Sequence, residues 1–124
     1  MKTGSHSERR SRRSHDPIVA LDLYLERLAA RNEISAVVVS DPGGRFVAGS
    51  GLLHDLEGLG QLGASVAHSG VETPDFDFIT RGEDFYASRM DVRGRSFVLS
   101  SVGGRVRKLV DTKGTIERIL SLAS

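Results

Sequence analysis

The chain has 124 residues, with 39% apolar and 27% charged side chains, no cysteine, no tryptophan and a formal net charge of +1. This length corresponds to a single core of ordinary domain size, and the missing cysteine excludes disulfides, thiolate metal sites, iron–sulfur clusters and cysteine nucleophiles. The longest unbroken apolar runs, Ile18 to Leu21 and Ala36 to Val39, fall far short of the roughly 18 residues that cross a bilayer.

The charge is unevenly placed. Residues 1–16 carry Lys2, Arg9, Arg10, Arg12 and Arg13 against Glu8 and Asp16, which leaves the rest of the chain net acidic at −2. Residues 1–15 hold no apolar side chain after Met1. Having nothing to bury, they are expected to form a disordered basic arm, with Arg9, Arg10, Arg12 and Arg13 as its peripheral electrostatic contacts. The domain division expected is therefore an arm over residues 1–16 and one folded unit over 17–124. No apolar stretch follows the basic start, so a secretory leader is not expected and the cytoplasm is the expected compartment.

Asp16-Pro17 reads as a helix start, because aspartate accepts free amides of the first turn and proline suits the first helical position. Ile18, Leu21, Leu25 and Leu28 then recur at spacings of three and four, which predicts a helix with one apolar stripe ending near Arg31-Asn32. The β-branched run Ala36 to Ser40, the turn Asp41-Pro42-Gly43-Gly44 and a short strand around Phe46 to Ala48 predict a hairpin. A second helix is expected from about His54 to His68, with Leu56, Leu59, Leu62 and Val66 as its apolar positions. Strands are expected at Phe76 to Ile79, Phe85 to Val92 and Ser96 to Val102, the last two joined by the tight turn at Arg93-Gly94-Arg95. A final helix is expected over Val106 to Leu122, with Val106, Leu109, Val110, Ile116, Ile119 and Leu120 on one face. Five strands in two groups with three helices make an α+β fold: one five-stranded antiparallel sheet flanked by helices, in the order α-β-β-α-β-β-β-α.

Gly58-Leu59-Gly60-Gln61-Leu62-Gly63 matches the spacing of a dinucleotide-binding loop, but that loop needs a strand running into its first glycine, and here a helix is expected already under way. The same glycines have a packing explanation. Gly60, Gly63, Ala64 and Ala67 fall at i, i+3, i+4 and i+7, giving a nearly bare helix face. Glycine inside a helix costs about 1 kcal/mol relative to alanine, so something is expected to approach this face closely: the underlying sheet, or the same helix of a second subunit. His54 and His68 lie about 21 Å apart along a helix and share no metal within one chain. Surface or capping roles are expected for both. No nucleophile elbow, zinc-protease pair or phosphate loop occurs, so neither an enzyme nor a cofactor-binding protein is expected. Arg81, Arg89, Arg93, Arg95, Arg105 and Arg107 are interleaved with Glu83, Asp84 and Asp91 in a body with only 6% aromatics. A solvated mixed-charge edge is expected there, without specific nucleic-acid binding.

Three stretches carry a resemblance: the hairpin Ile34 to Gly51 (ISAVVVSDPGGRFVAGSG), the small-residue helix after it, and Phe97 to Arg107 (FVLSSVGGRVR) leading into the last helix. Together they resemble the roadblock superfamily of dynein light chains and bacterial GTPase partners, over residues 17 to 122. The resemblance implies three helices around a five-stranded sheet, and a homodimer made through the second helix and third strand. It thereby assigns an interface role to Leu59, Gly60, Gly63, Ala64, Ala67, Phe76, Phe78 and Ile79. It also implies a non-enzymatic adaptor or regulator of a small Ras-like GTPase, in polarity or motility control. Two alternatives stand beside it. One is an assembly scaffold for other roadblock-like proteins without GTPase contact; the other is a small-molecule sensory domain, which requires an apolar pocket between sheet and helix. The arginine-rich extension, Asp75 and Asp77 depart from the family pattern.

Overall fold

The computed structural model describes residues 16–69 and 76–122. Arg9, Arg10, Arg12 and Arg13, and the arm expected around them, lie outside those residues. The elements run α1 (Pro17–Asn32), β1 (Ala36–Ser40), β2 (Phe46–Ser50), α2 (Leu56–Ser69), α3 (Phe76–Thr80), β3 (Phe85–Val92), β4 (Arg95–Val102) and α4 (Leu109–Ser121). The four strands form one antiparallel sheet in the order β2-β1-β4-β3.

Alternation along the central strands builds a core on each side of the sheet. Val37 and Val39 of β1 with Phe97 and Leu99 of β4 meet Leu21, Leu25 and Leu28 of α1 and Ile116 and Leu120 of α4. Ala36, Val38 and Val102 point the other way, onto Leu59 of α2, with Leu56, Ile79 and Phe85 packed around them. A strand covered on both faces loses its polar alternation, which is why β1 reads AVVV in sequence and every residue of it is buried. Full burial of each large aliphatic side chain contributes about 1.5–3 kcal/mol.

The local signals act as their chemistry dictates. Asp16 caps α1 through Oδ1, which accepts from the amides of Ile18 at 2.9 Å and Val19 at 3.4 Å. Asp41 Oδ1 accepts from Gly43 and Arg45, fixing the β1–β2 turn. The β3–β4 turn has positive φ at both Arg93 and Gly94, 52° and 80°, as a two-residue hairpin that matches strand twist requires.

Three expectations need correction. Phe76 to Ile79, expected as the third of five strands, lies in the short helix α3. The sheet therefore has four strands, and four helices accompany it among the described residues. As a strand this segment would set Asp77 and Ile79 on one face, and burying an unpaired carboxylate is costly. As a helix it turns Phe76, Ile79 and Thr80 toward the body and leaves Asp77 and Phe78 outside. Phe76 meets Phe85 edge-on at 5.7 Å, and the buried Thr80 donates its hydroxyl to the Phe76 carbonyl at 2.9 Å. The last helix begins at Leu109 rather than Val106, and Val110, expected on its apolar face, is 84% exposed because it lies off the Ile116–Leu120 stripe. His54, expected at the surface or as a cap, has a side chain only 3% exposed.

Candidate interaction surface

The sheet-side face of α2 holds the small residues singled out in sequence. Gly60 and Gly63 lie directly over the sheet: a Cβ on Gly60 would stand 3.2 Å from Ser40 Cβ, and one on Gly63 would stand 1.8 Å from Ser100 Oγ and 3.1 Å from Ser100 Cβ. Ser40 Oγ donates to the Gly60 carbonyl at 3.2 Å. The close neighbour these glycines admit is the chain's own sheet. Leu59 and Ala64 are buried beside them, and Ala67 is half-buried. The glycine-spaced hexad begins inside α2, with no strand entering it, so the geometry of a dinucleotide loop is absent there.

At the end of the sheet where β1 and β3 begin and β4 ends, three distant segments are tied together. His54 Nε2 lies 2.8 Å from Glu83 Oε1, and Ser35 Oγ donates to Glu83 Oε2 at 2.7 Å. An ionised carboxylate only accepts, so in the neutral ring Nε2 carries the proton and Nδ1 is left as an acceptor. Nδ1 is buried with no partner among the described residues. Hydrogen bonding by Ser35, aided by His54, holds the Glu83 carboxyl below its ordinary value against a weaker upward push from desolvation. Gly103 donates to the Asp84 carbonyl at 2.8 Å at the same end.

This tie presents an apolar surface. Leu52 is 99% exposed, Leu53 73% and Phe78 85%. Leu53 and Phe78 face one groove with His54, Asp55 and Arg81, and Leu52 and Leu53 line the adjoining one with Ser35 and Glu83. Large apolar side chains gathered in this way form an exposed apolar patch. Of the interface residues named from sequence, Phe78 stands in this patch, with Ile79 in its wall and Phe76 half-buried behind it. Sequence alone does not mark Leu52, Leu53 and His54 for this surface, since nothing local distinguishes a loop leucine that remains exposed from one that turns inward. Among the described residues, no group of three or more His, Asp or Glu side chains is placed to hold a metal ion, and no helix is long and apolar enough to cross a membrane.

No protein-family model matches the chain, and no curated protein matches it. Its structure is similar to that of Myxococcus xanthus MglB, at 16% sequence identity and a TM-score of 0.57, over 86% of this chain and 92% of that one. By that likeness the chain has a roadblock-like fold, with four strands among the described residues where the resemblance in its sequence implies five.

Proposed function

We propose that the chain is a non-enzymatic adaptor or regulator that works as a homodimer with a small Ras-like GTPase. The roadblock-like fold carries this reading, because sequence pattern and structure lead to it separately. The exposed cluster of Leu52, Leu53 and Phe78 supports a protein as the partner. In the dimer, contacts fall to Ala67, Phe76, Phe78 and Ile79, while Leu59, Gly60, Gly63 and Ala64 support α2 from beneath against the sheet.

The test is capture of partners by the immobilised full chain from a lysate of its own cells, loaded with a non-hydrolysable GTP analogue or with GDP. A Ras-sized GTPase retained in the GTP-analogue arm, and reduced by Leu52→Ser or Leu53→Ser, is the expected result. Recovery of only roadblock-like proteins in both arms would replace the regulator with a scaffold. Light scattering on the purified chain checks the dimer separately: a mass that stays monomeric at high concentration removes it. Both serine variants change side chains that are largely exposed, so folding is retained.

A further inference from the structure

On the opposite side of the sheet, α1 and α4 leave a cleft of about 440 Å³ between them. Three cations converge on it: Arg31 from the last turn of α1, and Arg107 and Lys108 from the approach to α4. None of the three forms an ion pair among the described residues, where the pairing found is His54 with Glu83. The backbone that brings them together is fixed by Asn32, whose Oδ1 accepts from the Arg107 amide at 3.0 Å while its Nδ2 donates to the Leu28 carbonyl at 2.9 Å. One carboxylate, Asp111, also lines the cleft, leaving a surplus of two positive charges.

Two further observations point to an anionic ligand. Helix α4 starts beside this cleft without a side-chain cap on Lys108, and Asp111, in its first turn, lines the cleft. Such an end carries partial positive charge and free donors. Thr112, on the cleft face of the same turn, is only 3% exposed, yet its hydroxyl has no hydrogen-bond partner among the described residues. It is not among the polar atoms sealed off from solvent, which are His54 Nδ1 and Ser100 Oγ, so it opens onto the cleft it lines. A ligand oxygen in the cleft would supply the partner that this hydroxyl lacks within the protein.

We propose that this cleft is a binding site for a phosphate-bearing small molecule, held by Arg31, Arg107, Lys108 and the Thr112 hydroxyl beside the positive end of α4. A phosphomonoester carries close to two negative charges at neutral pH and three acceptor oxygens. That matches the surplus charge and a donor set arriving from both helices better than a carboxylate does, with its single charge and two oxygens. The inference is independent of the GTPase reading, since the cleft lies across the sheet from Leu52, Leu53 and Phe78.

Calorimetric titration of the full chain with inorganic phosphate, and in a second arm with pyrophosphate, at physiological ionic strength tests the site. Saturable one-to-one binding is expected. Arg31→Gln and Arg107→Gln should each weaken it about tenfold, the effect of losing one charge-assisted hydrogen bond, and Thr112→Val should weaken it too. Arg9→Gln with Arg10→Gln should leave it unchanged. Arg31 and Arg107 are exposed, so circular dichroism should show both single variants folded. Absence of saturable binding in both arms, or binding that survives in Arg31→Gln and Arg107→Gln or disappears with the arm arginines, overturns the proposal. A phosphoserine peptide that binds while phosphate and pyrophosphate do not would also overturn it, in favour of a protein ligand.

Discussion

Ser100 lies directly beneath Gly63 where α2 packs on the sheet. The Ser100 hydroxyl is buried with no partner among the described residues, and it occupies the space a side chain on residue 63 would need. Removing a buried hydroxyl that satisfies nothing relieves a desolvation cost of about 1–3 kcal/mol, offset in part by the small void it leaves. Ser100→Ala is therefore expected to leave stability unchanged or to raise it by up to about 1 kcal/mol. Gly63→Ala gains about 1 kcal/mol of helix propensity but forces Ser100 to move. The two changes are coupled: Gly63→Ala should destabilise the native protein and become neutral or stabilising in a Ser100→Ala background. Urea denaturation of the four proteins in that cycle measures the coupling. Gly63→Leu, which brings a whole side chain against Ser100 and Val98, should prevent folding.

At the scale of elements, α1 depends on both its cap and its stripe. The stripe positions Leu21, Leu25 and Leu28 are buried against the sheet, while the first turn rests on Asp16. Asp16→Ala is expected to cost about 1 kcal/mol, the usual effect of losing a carboxylate cap, read as a lower denaturation midpoint with unchanged slope. The short α3 shows an element that period alone misassigns. Phe76, Phe78 and the residues between them alternate as a strand does, and five residues are too few for a helical stripe to declare itself. Contact with Phe85 and the sheet core decides the matter, because only the helix buries Phe76, Ile79 and Thr80 together while keeping Asp77 in water. The same helix turns Phe78 outward, toward Leu53.

For the whole molecule, the tie among Ser35, His54 and Glu83 links three chain segments at one end of the sheet and makes stability depend on acid. The Glu83 pKa is lower in the folded state than in the unfolded chain, so its contribution is fully present above the unfolded value and is lost as pH falls through the folded one. Asp22 acts in the opposite sense. Burial raises its pKa despite the amide of Gly49 that donates to it at 3.0 Å, so it disfavours the folded state once ionised. Glu83→Gln should therefore flatten the fall in melting temperature on acidification through the carboxylate range, with a modest effect because Glu83 is partly solvated. A thermal melt series over that range, on the native protein and Glu83→Gln, checks it; an identical acid slope in both would show that Glu83 contributes nothing to it.

The amino-acid sequence alone determined the elements whose signals are local: the capped α1, both hairpins with their turns, the apolar run of β1, and the order of everything except residues 76–80. It did so because periodicity, capping and turn chemistry act within a few residues and need no distant partner. The tertiary structure alone decided what depends on neighbours far along the chain. It turned the bare face of α2 onto Ser40 and Ser100, buried His54 against a glutamate 29 residues away, and brought Arg31 to the same cleft as Arg107, next to the Asn32 side chain that reaches across 75 residues to the Arg107 amide. The balance of charge thereby acquires a location: beyond the basic residues 1–16, the weakly acidic remainder holds a small positive cleft between its first and last helices, and no local pattern announces a site whose donors come from opposite ends of the fold.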